Sequence, residues 1–134
     1  YAVWWIRQSI LQALAEQGDK ARGIPACVAC HGTALMGVAP ALQTAGSLSN
    51  TNPSMPALLG LPRDYMAGQL GAWQTGQRRA HAPDCMRQIA KLLTAGDVEA
   101  LATWLSAQPV PVGAAAKPAA SLPGAMPQAC GGVR

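Results

Sequence analysis

The sequence contains no phenylalanine and few other aromatic residues, only four tryptophans and two tyrosines among 134 residues. Because aromatic rings supply much of the volume of an ordinary core, something else must fill the interior, and a large flat cofactor would do so. Charged residues are also scarce, at 12%, against 50% hydrophobic residues. This composition excludes a wholly disordered chain and is that of one globular domain with a buried core.

Long hydrophobic runs are absent too, since no apolar stretch reaches the roughly 18 residues that a transmembrane helix needs. The chain begins at Tyr1 rather than at Met, and we therefore expect a processed product whose missing start was a signal peptide or a membrane anchor. Residues 1–7, with two adjacent tryptophans, fit the interfacial end of a lost membrane helix. The alternative, which we favour, is a helix start that packs its Trp side chains into the core.

Acidic residues number six against ten Lys and Arg, which gives a formal net charge of +4. No run of five like charges occurs, and basic residues do not alternate with aromatic ones. The pattern therefore gives little support to nucleic-acid binding. A modest positive excess suits docking on an acidic protein surface, and ordinary solubility explains it equally well.

Apolar residues at helical spacing predict several helices separated by Gly, Pro and other turn residues. These helices are expected over 2–17, from Pro62 to about Thr75, over 83–93, and from Thr94 to Pro109, with a short turn or helix over 25–31. Thr94 and Asp97 have the spacing of a helix N-cap signal, and Pro62 fits the first position of its helix.

Two segments lack any helical period. Residues 32–60 are rich in Gly, Pro, Ser, Asn and Thr, and a loop of this length in a compact domain is typical of a functional role such as wrapping a cofactor. The Pro/Ala/Gly-rich segment 109–134 is expected to form an extended tail that lies on the domain or on a partner. The chain thus divides into an N-terminal helix (1–17), a domain (18–108) and a tail (109–134).

The most informative segment is Cys27-Val28-Ala29-Cys30-His31. Cys-x-x-Cys-His is the attachment pattern of c-type haem, because two thiols at this spacing can each form a thioether to one vinyl group of the same porphyrin. The next residue, His31, then faces the iron as the proximal ligand. The pattern predicts one haem c, covalently attached through Cys27 and Cys30.

Other interpretations of this cysteine pair have less support. A thioredoxin-like redox pair needs a preceding strand and a βαβ context, which the sequence lacks. A structural zinc site needs a second pair of ligands at a regular spacing, and Cys85, Cys130 and His81 show none. A disulfide between Cys27 and Cys30 would leave His31 without a role.

An iron bound by His31 needs a sixth ligand or keeps an open site. A Met thioether suits a low-spin iron that shuttles one electron, and we favour Met86. It lies far enough after His31 for the intervening loop and helix to reach the opposite face of the haem. Met55 and His81 are its rivals, whereas core filling is expected for Met36, Met66 and Met126.

Further pieces of the sequence follow the haem motif in a familiar order. They are Gly18-Asp19, the segment from Arg22 to Gly32, 56–60, Tyr65, Gln69-Leu70, Trp73, Gly76, Arg78, 86–94 and 100–105. On these residues the chain resembles the class I c-type cytochromes, most of all one half of the diheme periplasmic cytochromes and their single-haem relatives. The resemblance covers roughly residues 14–107, and its haem motif is highly specific.

The resemblance implies an all-α fold, the class I cytochrome c fold, with about five helices around one covalently attached haem and an extended C-terminal tail. It implies His31 and Met86 as axial ligands of the iron. It also implies that the carbonyl of Pro56 accepts a hydrogen bond from the His31 ring, which fixes the ligand and tunes its basicity. The loop between His31 and Pro56 is longer than in compact relatives, so Pro40 competes with Pro56 for this role.

Other residues take roles from the resemblance alone. Tyr65, Trp73 and Arg78 correspond to positions that line the haem or meet its propionates. The tail after Pro109 has no counterpart in the family.

The function that the resemblance implies is electron transfer, without catalysis by the chain itself. We favour a cytochrome subunit or domain of a larger redox complex, because a diffusing carrier has little use for a long tail. A free periplasmic carrier is the alternative, and an open-site haem enzyme or gas sensor would require that Met86 does not bind. The expected partner is a redox protein or complex subunit with an acidic docking face.

The expected compartment is the bacterial periplasm, because c-type haem is attached on the outer side of the membrane. Membrane association on that side would come through the missing N-terminus or a partner. In such an oxidising compartment two spare thiols often pair, which favours a Cys85–Cys130 disulfide over two free or separately buried thiols. The bond would close a loop of about 45 residues, stabilise the fold by at most about 4 kcal/mol, and hold the tail beside Met86.

Overall fold

The computed structural model describes residues 2–39, 55–118, 122 and 124–131. Within these residues the chain forms five helices and one pair of short strands. The helices are α1 (Ala2–Gln17), α2 (Val28–His31), α3 (Arg63–Thr75), α4 (Cys85–Leu92) and α5 (Ala95–Ala107), and the strands are β1 (Val38–Ala39) and β2 (Lys117–Pro118). The described architecture is mostly helical, as the sequence predicts.

The core lies where α1 and α3 pack on α5. Its buried members come from these helices and from the loops that flank α2 and α5, and they are Leu14, Ala15, Ile24, Leu35, Met66, Leu93, Val98, Leu101, Ala102, Trp104 and Leu105. Met66 therefore fills the core, as expected. The packing expected for Trp4 and Trp5 concerns side chains outside the described part of the structure.

The two ends of α3 are set by Pro62 and Gly76. Pro62 has an extended backbone, with ψ of 143°, so the helix begins at Arg63 and Pro62 is its N-cap rather than its first residue. Gly76 adopts a left-handed conformation with φ of 76° and closes the helix with a hydrogen bond from its N–H to the carbonyl of Trp73. Only glycine takes this conformation without a steric cost.

Helix α5 begins with the capping box that the sequence predicts. The backbone N–H of Asp97 donates to the Thr94 hydroxyl at 3.1 Å, and the N–H of Thr94 donates to the Asp97 carboxylate at 2.8 Å. The same carboxylate pairs with Arg22 at 2.6 Å, and Arg22 also bonds Asp19. This network joins the turn before α2 to the start of α5.

Charge pairing in this network controls the titration of Asp97. Burial raises the pKa of its carboxyl group, but hydrogen bonds from Arg22 and Thr94 more than offset that effect, so its pKa lies below the ordinary 3.8. A carboxyl group whose pKa is depressed by folding stabilises the native state above its unfolded pKa and loses that contribution as the pH falls. The Arg22–Asp97 link is therefore fully formed at neutral pH.

Within its described residues, the tail is joined to the domain by a strand pairing and by a disulfide. Strand β2 pairs in parallel with β1, with Val38 opposite Lys117 and Ala39 opposite Pro118. Farther along, Cys130 forms a disulfide with Cys85, the pairing that the sequence favours. Among the residues that the structure describes, none of the helices has the length and apolarity that crossing a membrane requires.

We predict that Thr94→Ala lowers the free energy of unfolding by about 1 kcal/mol, because it removes the acceptor for the Asp97 N–H at the start of α5. Denaturant unfolding of the purified protein measures the effect. Ser106→Ala is the matched control, since its hydroxyl bonds the Thr103 carbonyl in the last turn of the same helix. Equal losses in the two variants would show that the cap contributes nothing specific.

Candidate functional site

The Cys-x-x-Cys-His motif forms a single helical turn. Cys27 is the N-cap of α2, and its carbonyl accepts hydrogen bonds from the N–H groups of Cys30 at 3.2 Å and His31 at 2.9 Å. Residues three and four apart on a helix share one face, so the turn presents the two thiols and the imidazole together. Both thiols are free, with Cys30 buried and Cys27 partly buried.

The titration of the two thiols differs from that of a redox-active pair. Burial raises the pKa of Cys27 to about 11 and also raises the pKa of Cys30. Reactive Cys-x-x-Cys pairs work with a lowered thiol pKa. The environment of this pair therefore favours protonated thiols rather than a redox-active pair.

The imidazole of His31 is buried, with 5% of its surface exposed. Its Nδ1 lies 2.8 Å from the carbonyl oxygen of Pro56. Because a carbonyl can only accept, Nδ1 carries the proton and Nε2 is left as the nitrogen that can bind a metal. Burial lowers the pKa of His31 and the bond to Pro56 opposes this effect without cancelling it, which favours the neutral form that metals bind.

Backbone pairing between the segment after α2 and the residue before Pro56 places the Pro56 carbonyl next to His31. Val38 and Met55 exchange two backbone hydrogen bonds of 2.9 Å, and the N–H of Gly37 donates to the carbonyl of His31 at 2.9 Å. Gly37 has a left-handed φ of 88°, and a Cβ there would lie 2.6 Å from the Met55 carbonyl oxygen. Gly37 is thus a residue of the site that the sequence pattern alone does not reveal. Pro40, the rival of Pro56, lies outside the described residues.

Two of the three residues assigned by resemblance lie together on and after α3. Trp73 is buried, and the guanidinium carbon of Arg78 lies 5.2 Å from the centre of its ring. Arg78 also donates a hydrogen bond to the Gln69 side chain. Tyr65 is different, because half of its surface is exposed, at 50%.

Met86 lies in the first turn of α4, where it is partly buried. The helix start is held by Asp84, whose carboxylate accepts from the N–H of Arg87 at 3.1 Å and from the N–H of Ala80 at 3.0 Å. Of the rival ligands, His81 is exposed, and Met55 is partly buried next to Pro56.

Arginines surround the end of α3 and the start of α4. Arg79 donates to the Gly76 carbonyl at 2.8 Å, and the Arg87 guanidinium packs so closely on Gly76 that a Cβ there would lie 3.1 Å from its Nη2. Arg87 Nε is buried without a hydrogen-bond partner among the described residues. The ion pairs found among the described residues involve Arg22 and Arg63 and none of these arginines.

The arginines, the two thiols and His31 have the chemistry that a bound haem requires. A haem carries propionate carboxylates, which are the natural partners of guanidinium groups, and the orphaned N–H of Arg87 lies one residue from Met86. Two free thiols and a buried imidazole, whose Nε2 is left for a metal, complete the donor set. The residues present therefore fit a covalently attached haem.

Comparison with curated proteins gives three similar sequences. The chain is 34% identical to the thiosulfate dehydrogenase electron acceptor of Thiomonas intermedia (strain K12) over 99 aligned residues. The alignment covers 74% of the chain and 40% of that protein. The chain is 37% identical over 93 residues to the protein of the same name from Stutzerimonas stutzeri (strain A1501), covering 69% and 37%. The chain thus spans only about two fifths of these two relatives.

A third relative matches over nearly its whole length. Cytochrome c-554(548) of Halomonas halodenitrificans (strain ATCC 12084 / NCIMB 8669) is 32% identical over 94 residues, which cover 68% of the chain and 98% of that protein. No family model matches the sequence.

Solved structures show the same likeness. Cytochrome c4 of Acidithiobacillus ferrooxidans superposes with a TM-score of 0.58 at 29% identity, over 75% of the chain and 49% of the other. Reduced recombinant cytochrome c4 of Pseudomonas stutzeri gives a TM-score of 0.54 at 27% identity, and the match covers 75% of the chain and 47% of that structure. Thiosulfate dehydrogenase (TsdBA) of Marichromatium purpuratum gives a TM-score of 0.53 at 30% identity, and the match covers 82% of the chain and 19% of that structure.

We predict that Gly37→Ala weakens the His31–Pro56 hydrogen bond, because the added Cβ would displace the segment that carries the Pro56 carbonyl. The free energy of unfolding should fall by clearly more than the roughly 1–2 kcal/mol cost of a left-handed non-glycine residue. Denaturant unfolding and the NMR signal of the His31 Nδ1 proton measure both effects.

Gly23→Ala is the matched control, since Gly23 is also left-handed, with φ of 70°, but a Cβ added to it would meet no described atom within 4 Å. It should lose only the cost of the backbone conformation and keep the Nδ1 proton signal. The same loss and the same spectrum in both variants would contradict the role assigned to Gly37.

Proposed function

The chain belongs to the class I c-type cytochromes, and on that premise we propose that it transfers electrons through one haem c with His31 and Met86 as axial ligands. The observation that carries the proposal is the buried His31, held by Pro56 at 2.8 Å beside two free thiols. The thiols of Cys27 and Cys30 would hold the porphyrin through two thioethers. When bound, the haem supplies reversible one-electron chemistry at its iron.

The protein residues orient and shield that chemistry. His31 would bind iron through Nε2, and its Nδ1 hydrogen bond to Pro56 fixes the ring plane and raises the basicity of the ligand. Burial of the imidazole keeps water from this side of the site. With His31 and Met86 as ligands in both oxidation states, little rearrangement of the protein would accompany the gain or loss of an electron.

Met86 is favoured as the sixth ligand by the positions of its rivals. Met55 directly precedes Pro56, whose carbonyl holds the His31 ring, so its backbone lies on the side of the site that supplies the first ligand. His81 is exposed to solvent. Met86 is partly buried, and the Nε of the adjacent Arg87 has no partner among the described residues, so haem propionates would supply the missing acceptor. Trp73 and Arg78 would line the same edge of the haem.

The names of the relatives support a role within a redox complex. Two of them are electron acceptors of thiosulfate dehydrogenase, and we extend this role to the present chain as an acceptor of electrons from a dehydrogenase. A free periplasmic carrier is the second candidate, favoured by the match to 98% of cytochrome c-554(548). In both cases the protein would work on the periplasmic side of the bacterial membrane.

We predict that Met86→Ala abolishes the Met-to-ferric-iron charge-transfer band and lets the ferrous haem bind carbon monoxide, because it removes the sixth ligand. Absorption spectra of the purified haem protein measure both changes. Met55→Ala and His81→Ala are the controls and should keep the band. A band that survives in Met86→Ala and disappears in one control would transfer the ligand role to that residue.

Docking on an acidic partner makes electron transfer depend on salt. With a net charge of +4, we predict that reduction by an acidic plant-type ferredoxin slows about tenfold or more between low and high ionic strength, since salt screens steering. Stopped-flow reduction measures the rate. Reduction by uncharged hydroquinone is the control and should not change. A ferredoxin rate that is equally indifferent to salt would remove the acidic docking face from the proposal.

A further inference from the structure

Residues 128–131 of the tail contact the segment that precedes Met86. We propose that residues 128–131 form a strap that holds Met86 on the haem iron, with Cys130 and Gly131 as positioning residues. The inference rests on the proposed His31/Met86 ligation and goes beyond it, because it assigns a role to the tail that follows α5.

Three contacts attach the strap to the segment before Met86. Cys130 is joined by a disulfide to Cys85, the residue next to Met86, with 5.4 Å between their Cα atoms. The N–H of Gly131 donates to the carbonyl of Pro83 at 2.8 Å. The backbones are so close at this point that a Cβ on Gly131 would clash with the carbonyl oxygen of His81.

The segment that receives the strap depends on tertiary contacts, part of which come from the packing of α4 on α3. Helix α4 has 8 residues, and a helix of that length is not stable without tertiary contacts. Asp84 caps the helix and bonds the N–H of Ala80 at 3.0 Å, which ties the loop to the helix start. The strap adds a hydrogen bond at Pro83 and a disulfide at Cys85, so both residues that flank Asp84 are bonded to the tail.

Two unpaired buried donors lie close in sequence to the disulfide cysteines. Within the described residues, the buried side-chain N and O atoms without a hydrogen-bond partner are Arg87 Nε and Gln128 Nε2. Arg87 lies two residues after Cys85, and Gln128 lies two residues before Cys130. Buried donors are normally satisfied, so both sides of the disulfide carry a donor that awaits an acceptor. Haem propionates are acceptors of the required kind.

The consequence concerns the opening of the iron–Met86 bond. External ligands reach the ferric iron only after Met86 leaves, and leaving requires local motion of the segment around it. A covalent cross-link and a close backbone contact restrict such local opening. The strap is therefore expected to slow the exchange of Met86 for an external ligand while leaving the resting ligation unchanged.

The test measures cyanide binding to the ferric haem protein at saturating cyanide, where the departure of Met86 limits the rate. Gly131→Ala should raise this rate about tenfold or more and keep the resting charge-transfer band. Gly124→Ala is the matched control in the same tail, since a Cβ there meets no described atom within 4 Å, and its rate should equal that of the original protein. The double variant Cys85→Ser/Cys130→Ser should be at least as fast as Gly131→Ala.

The outcomes separate the strap from the ligand assignment. Unchanged cyanide rates in Gly131→Ala, with the charge-transfer band present throughout, would overturn the strap and leave His31/Met86 ligation intact. An original protein that lacks the band would overturn the ligation and with it the strap. Gly131→Ala retains both cysteines, so the test stands even if the double variant does not fold.

Discussion

The hydrogen bond from His31 to the carbonyl of Pro56 is the interaction on which the rest of the site depends. It joins the end of α2 to a residue far along the chain, across 2.8 Å, and it decides which imidazole nitrogen is free for iron. The bond exists only because the backbone of Met55 pairs with Val38 and because Gly37 can adopt a left-handed turn. Burial of the ring lowers the pKa of His31 and favours its neutral form, against the opposing effect of this hydrogen bond.

The helical core provides a rigid base for this arrangement without any phenylalanine. Apolar side chains of α1, α3 and α5 pack together, and among the described residues Trp104 is the one buried aromatic member of the cluster. Trp73, the other buried tryptophan in that part of the chain, lies against Arg78 rather than in that cluster. The scarcity of aromatic residues thus agrees with a domain in which a porphyrin supplies the large flat surface.

Local features of the site are predictable from sequence because their physics is local. The haem motif needs only one helical turn, and the capping box of α5 needs only Thr94 and Asp97. Pro62 lies just outside its helix rather than at the first position, since sequence alone does not fix its ψ angle. The pairing of Cys85 with Cys130 follows from the compartment that haem attachment implies, not from spacing.

Features that depend on contacts between distant segments could not be predicted. Gly37 and Gly131 are ordinary loop glycines in the sequence, and their importance comes from the carbonyl oxygens of Met55 and His81 that a Cβ would meet. Arg87 acquires significance only because folding buries its Nε with no partner among the described residues. The pairing of the tail with β1 likewise joins segments that no local pattern connects.

The most direct test of the account is the absorption spectrum of the mature protein, oxidised, then reduced, then exposed to carbon monoxide. His31/Met86 ligation predicts a low-spin c-type spectrum with the Met-to-ferric-iron charge-transfer band and no response to carbon monoxide. A high-spin spectrum that shifts with carbon monoxide would contradict a closed electron-transfer site and indicate an open iron instead. The absence of a Soret band, in protein from a host able to attach c-type haem, would contradict the haem itself.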